Sequence, residues 1–388
     1  MAQFIKYLYN LTCINALIIF FFLPSSLNAE INILSWGGNY QDTQKITLGN
    51  KFFEKTGIKI NWISWKDYPY LELDQILNNQ SNELPKIDII DIFINNKNTL
   101  NLLNEKCIQK KIYNFNQNNN LSDNYKKILY LEDYIIKPQN ECLLGNILFS
   151  WNFAYNSNLF EDNKPRSASD FFNTKKFPGK RGIYIGVKPN LELSLIADGV
   201  SPRGLYNVIK NQTSAISRSM KKIDKLCDDP KGGCVFWISG SEPSSLLKNN
   251  KVIMSTGWSN RFTQSQLNEN LSITQVFNNQ IIDYEYYVIN NRSENIENSI
   301  NFLEFVTTPE NEIKFLKKIP YSSWRKTTLS YIQDSKNNYD KYTINILNNI
   351  PIKIDNFDEQ IFIDHNYWEN EYDKINKFWN KEILNKYK

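Results

Sequence analysis

The stretch Ile31–Asp42, INILSWGGNYQD, joins an apolar run to a polar segment through a tryptophan and two glycines, Trp36–Gly38. The run Ile31–Leu34 predicts a buried strand, because it is short, apolar and ends at a turn. The next segment, Asp42–Lys55, spaces its apolar residues at helical intervals, and the glycine at Gly57 is typical of a helix end. The stretch therefore predicts a strand, a tight turn and a helix, the repeating unit of an α/β fold.

The same alternation continues along the chain. Ile58–Trp65 alternates like a strand, Tyr70–Asn79 predicts a helix, and Ile87–Ile94 predicts another buried strand. A second set follows Cys142, with predicted strands at 147–155, 181–187, 251–258 and 283–289 and helices opening near residues 169, 192, 299, 308 and 367. Without a repeat or a disordered linker, this pattern predicts two α/β units with mainly parallel sheets, connected by more than one chain crossing.

The predicted strand ends indicate where a ligand would bind. In sheets of this kind, ligands bind beyond the carboxyl ends of the strands. Trp36 and Trp258 each stand at such an end, and Glu285 lies in or beside a third. These residues are the first candidates for a site.

Composition supports a globular chain with two domains. The chain has 388 residues, of which 41% are hydrophobic, enough for a sizeable core. Its formal net charge is +4 and its basic residues do not cluster. This balance argues against a nucleic-acid-binding protein.

Residues 1–29 are typical of a cleavable signal peptide. Lys6 precedes the apolar run Ile14–Leu23, Pro24 breaks that run, and Ala29 offers a small residue at the cleavage point. The run is too short to span a bilayer comfortably, and no later segment is apolar enough to do so. We therefore expect a soluble mature protein exported to the periplasm.

Export makes disulfides the expected role of the cysteines. Four of the five cysteines lie after the signal peptide, and three pairings are open to them. Cys227 and Cys234 enclose a short turn-rich segment, so we predict this pair and, by consequence, Cys107–Cys142. A zinc site is the weaker alternative, because close CxxC spacing is missing and the chain has one histidine.

The motifs of common enzymes are missing from the sequence. It contains no GxSxG, P-loop, GxGxxG or HExxH pattern. We expect His365, in a polar tail, to be a solvated surface residue. Asp88 and Asp91 are three apart on a strand, so they should face opposite sides and not act as a pair. These features favour a protein that is not an enzyme and needs no cofactor or metal.

Ten sequence blocks, in order, resemble the periplasmic solute-binding proteins of ABC importers, in the spermidine/putrescine-binding group. The likeness runs from about Glu30 to the C-terminus. The blocks are SWGGNYQ, KFFEKTGIKI, IDIIDI, FFNTKKFPGKRGIYIG, LELSLIADGVSP, IDKLCDDPKGGCVFW, VIMSTGWSNRF, YEYYVI, VTTPENE and KKIPYSSW.

The resemblance implies a type II periplasmic binding protein fold: two α/β lobes, joined by two crossings, that close on a ligand like a hinge. On this pattern, residues 30–150 and 286–325 form lobe 1, and residues 151–285 and 326–388 form lobe 2. The implied partners are a small-molecule amine and an ABC permease of the inner membrane, with the protein acting as a monomer.

The positions that match the family suggest how an amine would be held. Trp36 and Trp258 correspond to tryptophans that wall the cleft, and aromatic faces attract ammonium groups. Glu192 and Glu285 correspond to acidic residues that meet amine groups, because an unpaired charge in a closed cleft is costly. Tyr321 corresponds to a tyrosine near the amine.

Two positions depart from the family pattern. Tyr40 follows the first tryptophan by four residues where clear polyamine binders have three, so its role as a second wall is open. Arg261 replaces an aspartate, and a guanidinium binds a carboxylate or phosphate but not an ammonium. The turn at Gly37–Gly38, followed by a helix, also favours an anionic group. The alternatives are that Arg261 points outward or pairs with Glu285.

We therefore expect an extracytoplasmic solute-binding protein that captures a polyamine or a related amine in an interlobe cleft. The alternatives are the same carrier role for a carboxylated, amino-acid-like or anionic solute or a chelated metal, an exported enzyme on the same fold, and a structural or surface-interaction role.

Overall fold

The computed structural model describes residues 30–65, 73–78, 85–94, 97–106, 131–138, 142–269, 271–353 and 360–388. The predicted signal peptide and Cys107 lie outside these residues. The pairing Cys107–Cys142 therefore stays a prediction. The other predicted disulfide, Cys227–Cys234, is formed and closes the turn between a helix and a strand.

Nine strands among the described residues form one sheet. They are β1 Glu30–Ser35, β2 Lys59–Ser64, β3 Ile89–Phe93, β4 Leu144–Asn156, β5 Arg181–Tyr184, β6 Cys234–Trp237, β7 Met254–Trp258, β8 Ile273–Ile289 and β9 Ile361–Phe362. Their order is β2-β1-β3-β8-β4-β7-β5-β6, with β9 alongside β8.

The pairing is parallel at the two ends of the sheet and antiparallel in its middle. Strand β1 pairs in parallel with β2 and β3, and β5 pairs in parallel with β6 and β7. The long strands β4 and β8 pair with each other, and also with β7 and β3, in antiparallel fashion. The predicted parallel α/β units are thus joined through two long central strands.

Helices cover the sheet. In the first half they are α1 Gly38–Gln44, α2 Asn50–Thr56, α3 Leu73–Leu77, α4 Lys97–Lys106, α5 Ala168–Phe172, α6 Asn190–Ala197, α7 Leu205–Asn211 and α8 Ser214–Asp228. They continue with α9 Glu242–Lys248, α10 Ser259–Asn268, α11 Ile296–Val306, α12 Pro309–Leu316, α13 Lys326–Ser335, α14 Lys341–Asn348, α15 His365–Trp379 and α16 Asn385–Tyr387. Within the described ranges, none of these helices is long and apolar enough to cross a membrane.

Two large hydrophobic cores mark the two lobes, and both central strands pass from one to the other. On β4, Leu148 packs in the first core and Phe149 in the second. On β8, Ile281 packs in the second core and Ile282 in the first. The chain therefore changes lobe near the middle of each long strand.

The predicted division into lobes stays a prediction as a whole, but the packing differs from it slightly on β8, where Ile282 already lies in the first core, and more widely in one later segment. Leu329, Leu347 and Ile352 lie in the first core, whereas we had assigned residues 326–388 to lobe 2. From Ile361 onward, the chain packs in the second core again. The amphipathic pattern of α13 and α14 predicts a buried face but does not say which core buries it.

Candidate functional site

A cavity of about 410 Å³ lies where the two cores meet. Trp36 packs against the first core and Trp258 against the second, and both line this cavity. Six of the seven predicted site residues line it, namely Trp36, Tyr40, Trp258, Arg261, Glu285 and Tyr321. The structure therefore brings together residues that are up to 285 positions apart in sequence.

The turn after β1 positions two aromatic side chains at the cavity. Gly37 has φ 72° and ψ −178°, a conformation that is essentially restricted to glycine, and Gly38 has φ 58°. This backbone lets α1 begin at Gly38, so that Trp36 and Tyr40 both reach the cavity. The indole of Trp36 packs beside that of Trp65, with ring centroids 6.1 Å apart.

Behind Tyr40 lies a buried carboxylate that sequence analysis had not selected as a site residue. The Tyr40 hydroxyl donates a hydrogen bond to Asp91 Oδ2 over 3.0 Å. Asp91 also accepts hydrogen bonds from Ser35 Oγ at 3.2 Å, Gln44 Nε2 at 3.0 Å and Asn146 Nδ2 at 2.8 Å. Burial nevertheless raises the pKa of Asp91 to about 6. Asp88 faces elsewhere and accepts from Ser293 Oγ at 2.5 Å, as its opposite strand face predicts.

Glu285 is the carboxylate that lines the cavity itself. It stands opposite Phe93 in the antiparallel pairing of β8 with β3. Its Oε2 atom is buried and has no hydrogen-bond partner. Burial and the neighbouring Asp91 raise the pKa of Glu285 well above its usual range. The Trp36 indole opposes this shift, although its Nε1 atom makes no hydrogen bond of normal geometry.

Aromatic side chains form much of the remaining wall. The ring of Trp258 lies 4.5 Å from that of Trp151 and 6.0 Å from that of Tyr184, measured between centroids. Trp151, Tyr184, Phe149 and Phe93 line the cavity, although we had not predicted them as site residues. Phe149 and Trp151 share one face of β4. This two-residue spacing is the sequence signal that could have identified them.

Arg261 supplies a positive charge at the same cavity. It lies on α10, is exposed, and forms no ion pair with Glu285 among the described residues. Its neighbour Asn260 donates a hydrogen bond to the Tyr321 hydroxyl over 2.9 Å. Burial raises the pKa of Tyr321, and the charge of Arg261 partly opposes this. Of the two alternatives for Arg261, the ion pair with Glu285 is therefore not formed in the described part of the chain.

Glu192 does not line the cavity. It is fully buried in α6, where its Oε1 atom accepts hydrogen bonds from Tyr206 Oη and Trp368 Nε1, each at 2.7 Å. Burial raises the pKa of Glu192. Its side chain therefore anchors helix α15, which carries Trp368, rather than facing a ligand.

The prediction that His365 is a solvated surface residue is wrong. His365 is 2% exposed, and its Nε2 atom lies 2.8 Å from Asp283 Oδ1. Lys188 Nζ lies 3.0 Å from Asp283 Oδ2 and 4.9 Å from the centre of the Phe93 ring. Burial lowers the pKa of His365. This cluster packs against Phe93, which lines the cavity.

No group of three or more potential metal ligands occurs in the part of the chain that the structure describes. The cavity instead combines aromatic walls, a carboxylate and a guanidinium. Such a lining can hold an organic molecule that carries an ammonium group.

Comparisons with known proteins agree with this architecture. A family model described as "Bacterial extracellular solute-binding protein" matches residues 47–339. The chain is 31% identical over 193 residues to the gamma-aminobutyric acid-binding protein of Pseudomonas aeruginosa. That match covers 50% of this chain and 53% of the relative, so the chain spans about half the length of the curated relative it matches.

Solved structures support the fold. The Atu4243-GABA receptor is 20% identical, with a TM-score of 0.68 over 91% of this chain and 97% of its own. The spermidine/putrescine-binding protein PotD of Streptococcus pneumoniae is 15% identical, with a TM-score of 0.63 over 91% and 99%. The predicted two-lobed type II periplasmic binding protein fold is confirmed.

Proposed function

The chain belongs to the bacterial extracellular solute-binding protein family, and we propose that it captures a small amine that also carries a carboxylate. As a solute-binding component of an ABC transporter, it delivers its ligand to an inner-membrane permease. Its relatives are solute-binding proteins and not enzymes.

One observation carries the ligand proposal: Glu285 and Arg261 line a single aromatic cavity without pairing with each other in the described structure. A carboxyl group and a guanidinium that stay apart each need a partner when the cavity loses its water. An ammonium group suits Glu285 and the aromatic rings, and a carboxylate suits Arg261. The similarity to a gamma-aminobutyric acid-binding protein supports the same ligand class.

The binding step follows from the position of the cavity between the cores. A ligand that contacts both the Trp36 side and the Trp258 side stabilises a closed arrangement of the lobes. The two central strands, β4 and β8, are the crossings about which the lobes would move.

A simple polyamine is the second candidate, because Glu285 and the aromatic rings of the cavity wall can bind an ammonium group without a carboxylate-binding residue. The fold it shares with PotD is compatible with this ligand. Arg261 disfavours it, since a guanidinium repels a second ammonium group.

Isothermal titration with two ligand sets tests the proposal. Putrescine, spermidine and agmatine form one set, and γ-aminobutyric acid with other amino acids forms the other. We expect the tightest binding from an amino acid, with a Kd below about 100 µM. The proposal fails if a polyamine binds more tightly than every amino acid tested, or if no amino acid binds more tightly than about 1 mM.

A further inference from the structure

Asp91 and Glu285 are diagonal neighbours on one face of the sheet. In the antiparallel register, Phe93 stands opposite Glu285 and Asp91 stands opposite Tyr287. Residues two apart on a strand point to the same face, so the two carboxylates lie close together. Two carboxylates in one buried site do not both ionise readily.

Hydrogen-bond donors are divided unequally between the two carboxylates. Asp91 accepts four hydrogen bonds, from Ser35, Tyr40, Gln44 and Asn146. Glu285 Oε2 is buried and has no hydrogen-bond partner, and the donors beside this carboxyl group, Trp36 and Tyr40, only partly offset the rise in its pKa. Hydrogen bonds donated to a carboxylate stabilise its ionised form, so the negative charge belongs on Asp91.

We propose that Glu285 carries a proton in the empty cavity, held there by the ionised Asp91, and that the ligand's ammonium group takes the place of this proton. This inference rests on the proposed function, because it requires an ammonium-bearing ligand. Asp91 is then a positioning residue. It is fully buried and acts on the ligand only through Glu285.

The exchange balances in charge and protons. The neutral acid of Glu285 gives its proton to the solvent, and its carboxylate pairs with the incoming ammonium group. Burial and Asp91 both raise the pKa of Glu285, which agrees with the geometry. The other titratable and charged groups around the two carboxyl groups are Tyr40, Tyr287, Tyr321 and Arg261. Asp283, on the same strand as Glu285, is paired with Lys188 and His365.

The sign of the pH dependence follows. Below the pKa of Glu285 in the empty protein, ligand and proton compete, so affinity increases by up to about tenfold per pH unit as the pH rises. Above that pKa the carboxylate is already ionised, and affinity becomes independent of pH. A permanently ionised Glu285 would give no such slope over the same range.

The first test needs no ligand. Infrared spectra of the ligand-free protein at neutral pH should contain a carboxylic-acid C=O band that Glu285→Gln removes. Glu192→Gln is the matched control, because Glu192 is also a buried glutamate but does not line the cavity. If the Glu285→Gln spectrum retains every carboxylic-acid band of the native protein, the inference is wrong.

The second test measures protons directly. Calorimetry with γ-aminobutyric acid, in buffers of different ionisation enthalpy, should show release of about one proton per ligand by the native protein. Glu285→Gln should release almost none, Asp91→Asn should release less than the native protein because burial alone still raises the pKa of Glu285, and Glu192→Gln should behave like the native protein. Equal release by native protein and Glu285→Gln would overturn the inference. If no member of either ligand set binds, the proposed function fails, and the ligand-free spectra still decide where the proton resides.

Discussion

Glu285 and Arg261 face the same cavity from a strand and a helix, and no ion pair joins them in the described part of the chain. Glu285 Oε2 lacks any hydrogen-bond partner, and Arg261 is exposed. Their separation leaves a carboxyl group and a guanidinium available within about 410 Å³ of aromatic-walled space. A molecule that carries both an ammonium and a carboxylate group would satisfy the two at once.

Arg261→Ala should weaken γ-aminobutyric acid by about 10- to 100-fold, because it removes a charged hydrogen bond worth about 1.5–3 kcal/mol. Putrescine, which has no carboxylate, should lose no affinity. Titration calorimetry measures both. Arg218→Ala is the control, since Arg218 is an exposed arginine paired with Asp198. A loss confined to putrescine would show that Arg261 does not bind a carboxylate.

Glu285→Gln should weaken any amine ligand by about 10- to 100-fold at pH 8, because the ammonium group loses its ionic partner. The side chain keeps its size, so packing is preserved. Glu192→Gln should leave affinity unchanged. If calorimetry gave Glu285→Gln the same affinity as the native protein, Glu285 would not contact the ligand's ammonium group.

Glu192→Ala should lower the free energy of unfolding by about 2–4 kcal/mol while ligand affinity stays within about twofold. The reason is that the substitution removes the acceptor of Tyr206 Oη and leaves Trp368 Nε1 only the Tyr206 hydroxyl as an acceptor. Urea denaturation measures the loss, and Glu192→Gln should recover most of it. If Glu192→Ala weakened ligand binding without lowering stability, Glu192 would be a ligand contact after all.

Gly37→Ala should lower the free energy of unfolding by about 1–3 kcal/mol, since a side chain is strained at φ 72° and ψ −178°. It should also weaken the ligand, because the turn positions Trp36 and Tyr40. Gly57→Ala is the matched control, with φ 74° at a helix end away from the cavity. We expect Gly57→Ala to reduce stability only. If Gly37→Ala bound the ligand with native affinity, the conformation of this turn would not contribute to binding.

Sequence patterns predicted the framework well where local signals agree. The strand, glycine turn and helix after Glu30 were predicted from apolar spacing and two glycines. The structure has the strand at β1 and the turn at Gly37–Gly38, and the helix predicted over Asp42–Lys55 is formed by α1, a π-helical segment at Lys45–Gly49 and α2. Pro309 was predicted to open a helix, and α12 begins there. Proline at the first turn carries this information by itself, because its fixed φ suits that position.

Residues buried by distant partners were harder to predict. Asp91 and Trp151 sit in apolar strands, where a site residue and a core residue have the same pattern. His365 and Glu192 were misjudged because their partners, Asp283 and Trp368, lie 82 and 176 residues away. Charge and local polarity predict exposure only when no tertiary partner intervenes.

Calorimetry with three ligands of equal carbon-chain length tests the central claim most directly. γ-Aminobutyric acid carries both charged ends, butylamine lacks the carboxylate, and butyrate lacks the amine. We predict that γ-aminobutyric acid binds at least about tenfold more tightly than either single-ended ligand, because it alone can pair with both Glu285 and Arg261. Equal or tighter binding of butylamine or butyrate would contradict the account.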